Sequence, residues 1–416
     1  MGLTITEKII ARAAGCDSVT PGEIVGITVD RLMINDLMAP TVFKHYSNLG
    51  VDKIVNPDRI LIGLDHRIPP ADVALADALC GVREFCKAHD LKGFREIGRH
   101  GVGHQLMCEN FTLPGEVAVG TDSHATMYGG LGALACGINA SDAAVIMASG
   151  KMWLRVPGSV KVTLTGRLKQ PCTAKDISLY MQILDDYENF NYRMIEVVGQ
   201  GAESLPVDGR LVIANMAAEM EAKGCIFPAD KAVDDYLGRP RQFHLQSDND
   251  AVYEKEFSIN LSELKPLVAC PHSTTNIKTV EAVRGIPIHQ AFLGSCTNGR
   301  LEDLQEAAEI LKGRKVHPDV RLIVVPASQK VLIEATEQGL TELFLKAGAA
   351  VMLPSCASCA GNGPGMIGRG ERCISTTNRN WRGRMGSPDS EVYLASPYTV
   401  AASAVAGCIE SPEKYL

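Results

Sequence analysis

The chain has no run of about 18 apolar residues, the length a membrane-spanning helix needs. Its N-terminus carries Lys8 and Arg12 without the apolar core of a secretory signal. Lysine and arginine are dispersed rather than gathered and the formal net charge is −7, so a nucleic-acid backbone finds no basic footing. Internal repeats and low-complexity tracts are absent. So is a G-x-S-x-G elbow, without which a serine-hydrolase site has no anchor. Only one C-x-x-C occurs, Cys356-Ala357-Ser358-Cys359, and a zinc site of the paired type needs a second. The expectation is a cytoplasmic chain with neither a membrane nor a nucleic-acid partner.

What is present is an ordinary globular composition, 416 residues with 46% hydrophobic, enough for two or three domains. Thirteen cysteines are an odd number and lie scattered through apolar segments such as Ala78-Leu79-Cys80. Most therefore read as buried free thiols in a reducing compartment.

Punctuation by glycine, proline and capping residues divides the chain. Thr6 is a candidate cap for a helix Glu7 to Ala14 ended by Gly15. Glu23 to Met33 reads as one strand with Asn35-Asp36 just beyond it, and Arg59 to Leu64 as a strand delivering Asp65-His66. Val117-Ala118-Val119 leads into Gly120-Thr121-Asp122-Ser123-His124. A change to short strands marks a boundary near residue 155. Thr173 with Asp176 resembles a capping box before a helix to Leu184, and Met194 to Val198 is a strand carrying Glu196. Arg210 to Lys223 reads as a helix with Gly224 as its cap. The last third alternates strand and helix: Ile288 to Leu293, Leu301 to Leu311, Val320 to Val325, Gln329 to Lys346, Ala349 to Pro354. Such alternation specifies a parallel sheet covered on both faces.

The chemistry-bearing residues cluster by position. Asp65, His66, His124, Cys296 and the Cys356/Cys359 pair all follow the carboxyl end of an expected strand, where open α/β sheets place their ligand crevice. Cys296 sits in Gly294-Ser295-Cys296-Thr297-Asn298-Gly299-Arg300, and with Cys356 and Cys359 it makes three thiolates. Three cysteines would hold a [4Fe-4S] cluster and leave one iron open as a Lewis acid. A redox pair at Cys356/Cys359 stays as the alternative. His66, His104 and His124 lie beside glycine or carboxylate residues, and an adjacent aspartate can fix an imidazole tautomer for proton transfer. The rival is a mononuclear metal site. Arg379 and Arg384, in Asn378-Arg379-Asn380-Trp381-Arg382-Gly383-Arg384, suit bidentate capture of carboxylates, although a solvated basic loop reads the same way.

These motifs, in this order, resemble the aconitase superfamily over essentially the whole chain. They run from Gly103-His104-Gln105 through Glu109-Asn110 to Pro114-Gly115, then GTDSH at 120–124, GSCTNGR at 294–300, the C-x-x-C and Asn378-Arg379-Asn380. Thr376-Thr377-Asn378-Arg379-Asn380 with Gly383-Arg384-Met385-Gly386 looks like the isopropylmalate isomerase and homoaconitase large-subunit branch. The resemblance implies an α/β fold, a three-domain α/β/α core with mainly parallel sheets, divided as 1–155, 156–285 and 286–416 and lacking the swivel domain. It implies cluster ligation by Cys296, Cys356 and Cys359. Asp65, His66, His104, Asp122 and His124 would be the proton-handling set, and Glu196 would support the hydroxyl or bound water. Ser123, Arg379 and Arg384 would bind substrate, with Asn35 and Asp36 near its variable group.

The implied activity is a hydro-lyase that isomerises a small 2-hydroxydicarboxylate, with a separate small (swivel-domain) subunit as partner. Isopropylmalate is the expected substrate, with homoaconitase and 2,3-dimethylmalate dehydratase large subunits as alternatives. A non-enzymatic iron–sulfur or RNA-binding role is the reading from another class. Two departures from the branch pattern stand out. Asn35-Asp36 occupies the place of a commoner His-Asp, and residues 360–365 differ from the usual Leu-Gly pattern after the C-x-x-C.

Overall fold

The computed structural model describes residues 2–184, 189–243, 245–361 and 363–416. Asn362 and the side chain of Asn110 lie outside them. Its first helix, Ile5–Ala14, is capped by Thr4 rather than Thr6, because Thr4 and Glu7 form a reciprocal capping box; Gly15 closes it in the left-handed region at φ 72°. Thr6 is thereby released to point elsewhere.

Residues group into two compact units, Met1–Gly166 with Tyr187–Ile259, and Arg167–Asp186 with Asn260–Leu416. The expected segments 1–155, 156–285 and 286–416 nevertheless each carry a sheet of four or more strands, with Leu267–Ala269 and Ile277–Thr279 joining the third.

In the first unit the run Glu23 to Met33 is two strands, not one. Ile24–Thr28 pairs antiparallel with Lys151–Arg155, while Arg31–Asn35 enters a parallel five-stranded sheet. The order across that sheet is Gly93–Arg95, Ile60–Gly63, Arg31–Asn35, Val117–Gly120, Leu134–Gly137. Its strands Ile60–Gly63 and Val117–Gly120 are apolar on both faces and buried, as central parallel strands between helices are. Helices Ala39–Asn48, Val73–Ala88 and Ala140–Ser149 contribute to the same core, where Phe43 stacks on Phe85 at 3.8 Å.

A second, four-stranded sheet runs Gly224–Ile226, Met194–Val198, Ser159–Thr165, Lys255–Asn260. Gly224 therefore opens a strand instead of capping a helix. The expected helix Arg210 to Lys223 is Val207–Met216, which tightens into a 3-10 turn at Ala217–Met220. Gly129 is required where it stands: a Cβ there would lie 1.6 Å from the Cys225 carbonyl oxygen.

The second unit is built on a seven-stranded sheet. Its order is Ile277–Thr279, Leu267–Ala269, Glu391–Ala395, Arg372–Ser375, Gln290–Leu293, Arg321–Val324, Ala350–Val351. The last five run parallel and the first two are antiparallel additions at one edge. Helices Leu301–Leu311 and Pro397–Ala406 pack together. The expected helix Gln329 to Lys346 is divided into Gln329–Glu337 and Leu340–Ala347 by Gly339, at φ 75°. Among the described residues no helix is long and apolar enough to cross a membrane.

Candidate functional site

In the first unit, the carboxyl ends of neighbouring parallel strands carry the residues expected to handle protons. Asp65 is buried. Its Oδ2 accepts from Gly103 N at 2.8 Å and its Oδ1 meets His66 Nδ1 at 2.7 Å. Burial pushes the Asp65 carboxyl up, and the neighbouring His66 only partly offsets this. With Nδ1–H committed to Asp65, the neutral His66 ring holds its basic lone pair on Nε2. Asp36 accepts from His66 N at 3.0 Å and Arg67 N at 2.8 Å. Its burial is outweighed by those bonds and by the His66 ring, so its carboxyl lies below the usual range. Asn35 is buried with its Oδ1 accepting from Met38 N at 2.9 Å, so it caps the turn that follows its own strand.

His104 and His124 meet on one carboxylate. Asp122 Oδ1 lies 3.1 Å from His104 Nε2, 3.1 Å from His124 Nδ1 and 2.8 Å from His124 N. Burial alone would raise the Asp122 pKa, but the two imidazoles hold it well below the carboxylate range. The chain of contacts continues at both ends. His104 Nδ1 is 2.9 Å from the Tyr128 hydroxyl, and His124 Nε2 is 2.7 Å from Glu219 Oε1. Since His124 gives its Nδ1–H to Asp122, a proton must lie between Nε2 and Glu219 whichever of them holds it. Ser123, between the two site residues, is exposed.

Sequence reasoning did not single out Glu219, which joins this chain of contacts, and expected Glu196 to support the hydroxyl or bound water. The structure places Glu196 elsewhere: its carboxylate accepts from Thr6 N and Oγ1, Ser247 Oγ at 2.6 Å and the Tyr253 hydroxyl at 2.8 Å. That makes Glu196 the anchor of the first helix and the 247–253 segment. Glu219 was legible only as part of Asn215-x-x-x-Glu219, two polar residues inside an apolar helical run. Only the tightening of the helix after Met216 turns it toward His124.

In the second unit, Cys296 follows the strand Gln290–Leu293 and the Cys356/Cys359 pair follows Ala350–Val351, at the same end of one sheet. All three are buried and none forms a disulfide among the described residues. Asn378, after the strand Arg372–Ser375, links the two loops. Its Nδ2 donates to Cys296 Sγ at 3.3 Å, and the Cys359 thiol reaches its Oδ1 at 3.7 Å. Residues flanking the cysteines adopt left-handed backbone, Ser295 at φ 78° and Ala357 at φ 47°. Such conformations cost about 1–3 kcal/mol each and concentrate at functional sites.

The donor set fits an iron–sulfur cluster. It comprises three thiols from two loops, an amide donor aimed at sulfur, and two buried polar atoms, Ser358 Oγ and Asn298 Oδ1, with no partner among the described residues. Arg379 and Arg384 lie on the loop that begins at Thr376. The Arg379 guanidinium stacks 4.8 Å from the Trp381 ring, and Arg384 Nε is buried with no partner among the described residues.

Similarity to known proteins runs the length of the chain. The model of the aconitase family (aconitate hydratase) matches residues 7–284 and 272–407. The 3-isopropylmalate dehydratase large subunit of Thermodesulfovibrio yellowstonii is 43% identical over 100% of this chain and 99% of its own. That of Hydrogenobaculum is 44% identical over 100% of this chain and 98% of its own. Among solved structures, the holo-form of Thermococcus kodakaraensis aconitase X shares the fold with a TM-score of 0.53 and 13% identity, covering 91% of this chain and 93% of that one. Full-length similarity, the cysteine trio and the histidine–carboxylate chain agree: the protein belongs to the aconitase family and is a hydro-lyase.

Proposed function

We propose that this chain is the large subunit of a 3-isopropylmalate dehydratase, carrying a [4Fe-4S] cluster on Cys296, Cys356 and Cys359. What carries the reading is the 41–44% identity over the whole chain to proteins named as that subunit, together with three buried thiols, two of which, Cys296 and Cys359, are linked by Asn378. Three ligands leave one iron without a cysteine. When bound, the cluster supplies a Lewis acid for the substrate hydroxyl.

The remaining work falls to this chain's side chains and to a small subunit. Arg379 and Arg384 hold substrate carboxylates, which planar guanidinium groups bind bidentately. Asp122 orients both His104 and His124, so each ring presents a fixed tautomer, and the proton shared by His124 and Glu219 is available for a departing hydroxyl. His66, its Nδ1 held by Asp65, keeps a basic Nε2 for the opposite transfer. Asn35 and Asp36 shape the surroundings of the substrate's variable group. The small subunit contributes the base that abstracts the proton next to a carboxylate.

The test is the full chain co-produced with a candidate small subunit and reconstituted anaerobically with iron and sulfide. Dehydration and hydration are then measured on 3-isopropylmalate, homocitrate and 2,3-dimethylmalate. Turnover of 3-isopropylmalate well above the other two, and only by the pair, is the expected result. Preference for either other substrate reassigns the specificity, and full activity of the chain alone refutes the division of labour.

A further inference from the structure

We infer that Lys175 is a positioning residue for the cluster: a fully buried ammonium that clamps the loop bearing Asn378 and raises the reduction potential of the group held by Cys296, Cys356 and Cys359. The inference rests on the cluster reading above.

Lysine is among the residues least often found fully buried, because its ammonium loses hydration that only good acceptors replace. Lys175 has 0% exposure. It lies in the first turn of the helix Ala174–Leu184, far in sequence from Cys296, Cys356 and Cys359, and its Nζ donates to the carbonyls of Thr376 at 3.1 Å and Thr377 at 2.7 Å. These are the two residues before Asn378.

The Thr376 side chain carries the clamp into the other loop. Its Oγ1 accepts from Gly294 N at 2.9 Å and lies 3.0 Å from Gly294 O and 3.2 Å from Asn298 O. Lys175 thus fixes, through two carbonyls, the residue whose amide donates to Cys296 Sγ and the loop that contains Cys296. A second buried cation works from within that loop: Arg300 donates to the carbonyls of Cys296 and Thr297.

The acidic side chains Asp176 and Asp303 near Lys175 are engaged by other donors. Asp176 spends its carboxylate on Thr173 N and Leu267 N, both at 2.8 Å, and burial pushes it up to about 7, so near neutrality it is only partly ionised. Asp303 accepts from Asn298 Nδ2 at 2.7 Å and Arg300 N at 2.9 Å, and burial raises its carboxyl also. Burial and the neighbouring acids hold the Glu306 carboxyl well above the ordinary range. Lys175 and Arg300 are two fully buried cations whose donors hold the carbonyls of the cysteine loops. A positive charge there favours the more negative, reduced form of an iron–sulfur cluster, and hydrogen bonds to sulfur act in the same direction.

The experiment uses the full chain reconstituted anaerobically with iron and sulfide. Iron and sulfide per chain, the EPR spectrum of the reduced cluster and its midpoint potential are measured for wild type, K175R, K175Q and K175M, with thermal melts as the folding control. K175R, which keeps charge and donors, should load like wild type with a matching potential. K175Q keeps an uncharged NH2 donor group and should hold a cluster of lower potential. K175M loses both, and its cluster affinity should fall by about tenfold, the lower end of the usual cost of losing a group that supports metal ligands. Should K175M fail to fold, the comparison of K175R with K175Q decides. Equal potentials and equal loading in those two overturn the inference. A wild-type chain that takes up no iron–sulfur cluster refutes the cluster reading instead.

Discussion

Replacing Asp122 by asparagine tests the histidine pair at its shared point. One oxygen, Oδ1, takes three contacts: His104 Nε2 at 3.1 Å, His124 Nδ1 at 3.1 Å and His124 N at 2.8 Å. Asparagine keeps an acceptor of the same shape and removes only the charge. A hydrogen bond to a charged group contributes about 1.5–3 kcal/mol and a neutral one about 0.5–1.5. The difference, about 1 kcal/mol per bond, is not fully additive over a single oxygen, so Asp122→Asn should cost about 2–3 kcal/mol at pH 7.

The pH dependence has a definite sign. The folded-state pKa lies well below the ordinary value, held there by the two imidazoles against burial. The stabilisation is therefore complete above the unfolded-state pKa of about 3.9 and is lost as pH falls through the lower folded value. Urea unfolding of wild type and variant, followed by circular dichroism between about pH 7 and pH 3, should show a gap that is widest near neutrality and closes in acid. A gap that stays constant over that range, or equal stability at pH 7, refutes the assignment of the charge to this oxygen. Activity of the reconstituted pair should fall by about 100-fold or more, since both rings lose the anionic partner that supports their protonated form during proton transfer.

Three further outcomes follow from named contacts. Glu219→Gln should lower kcat by about 100-fold with little change in melting temperature, whereas Glu196→Gln should shift the melting temperature and leave kcat within about twofold; steady-state kinetics with thermal melts separates the two. Asn378→Ala removes the amide that donates to Cys296 Sγ and should cost about 10–100-fold in cluster affinity, read as iron and sulfide retained per chain after desalting. Gly129→Ala forces a methyl against the Cys225 carbonyl and should destabilise by about 3 kcal/mol, visible as lost soluble yield and an earlier unfolding transition.

The placement of residues in short contiguous motifs after strands was readable from the sequence. Cys296, Cys356 and Cys359 follow strands at one end of a sheet as expected, and Asp65-His66 and Asp122-Ser123-His124 follow theirs. Alternation of apolar runs with capped helices likewise announced parallel sheets. What escaped reading depends on geometry that no local pattern encodes. Glu219 was hidden because Arg210 to Lys223 has helical spacing throughout, and only packing converts its end to a tighter turn and starts a strand at Gly224. The run Glu23 to Met33 is continuous in hydrophobicity, yet its halves join different sheets. Asn378 was visible in its motif, but its position between two cysteine loops emerges only once the strands Arg372–Ser375 and Gln290–Leu293 lie side by side.

The interleaved segment Arg167–Asp186 has a consequence for how this protein can be taken apart or passed on. The chain leaves the first unit at Gly166, contributes one helix to the second, returns at Tyr187 and leaves again after Ile259. A gene fragment beginning at residue 260 would encode every cysteine of the trio yet omit Lys175 and its contacts to Thr376 and Thr377. Neither unit is a contiguous cassette. Recombination that exchanged one of them between relatives would have to cut at three places, which favours inheritance of the whole chain as a single block.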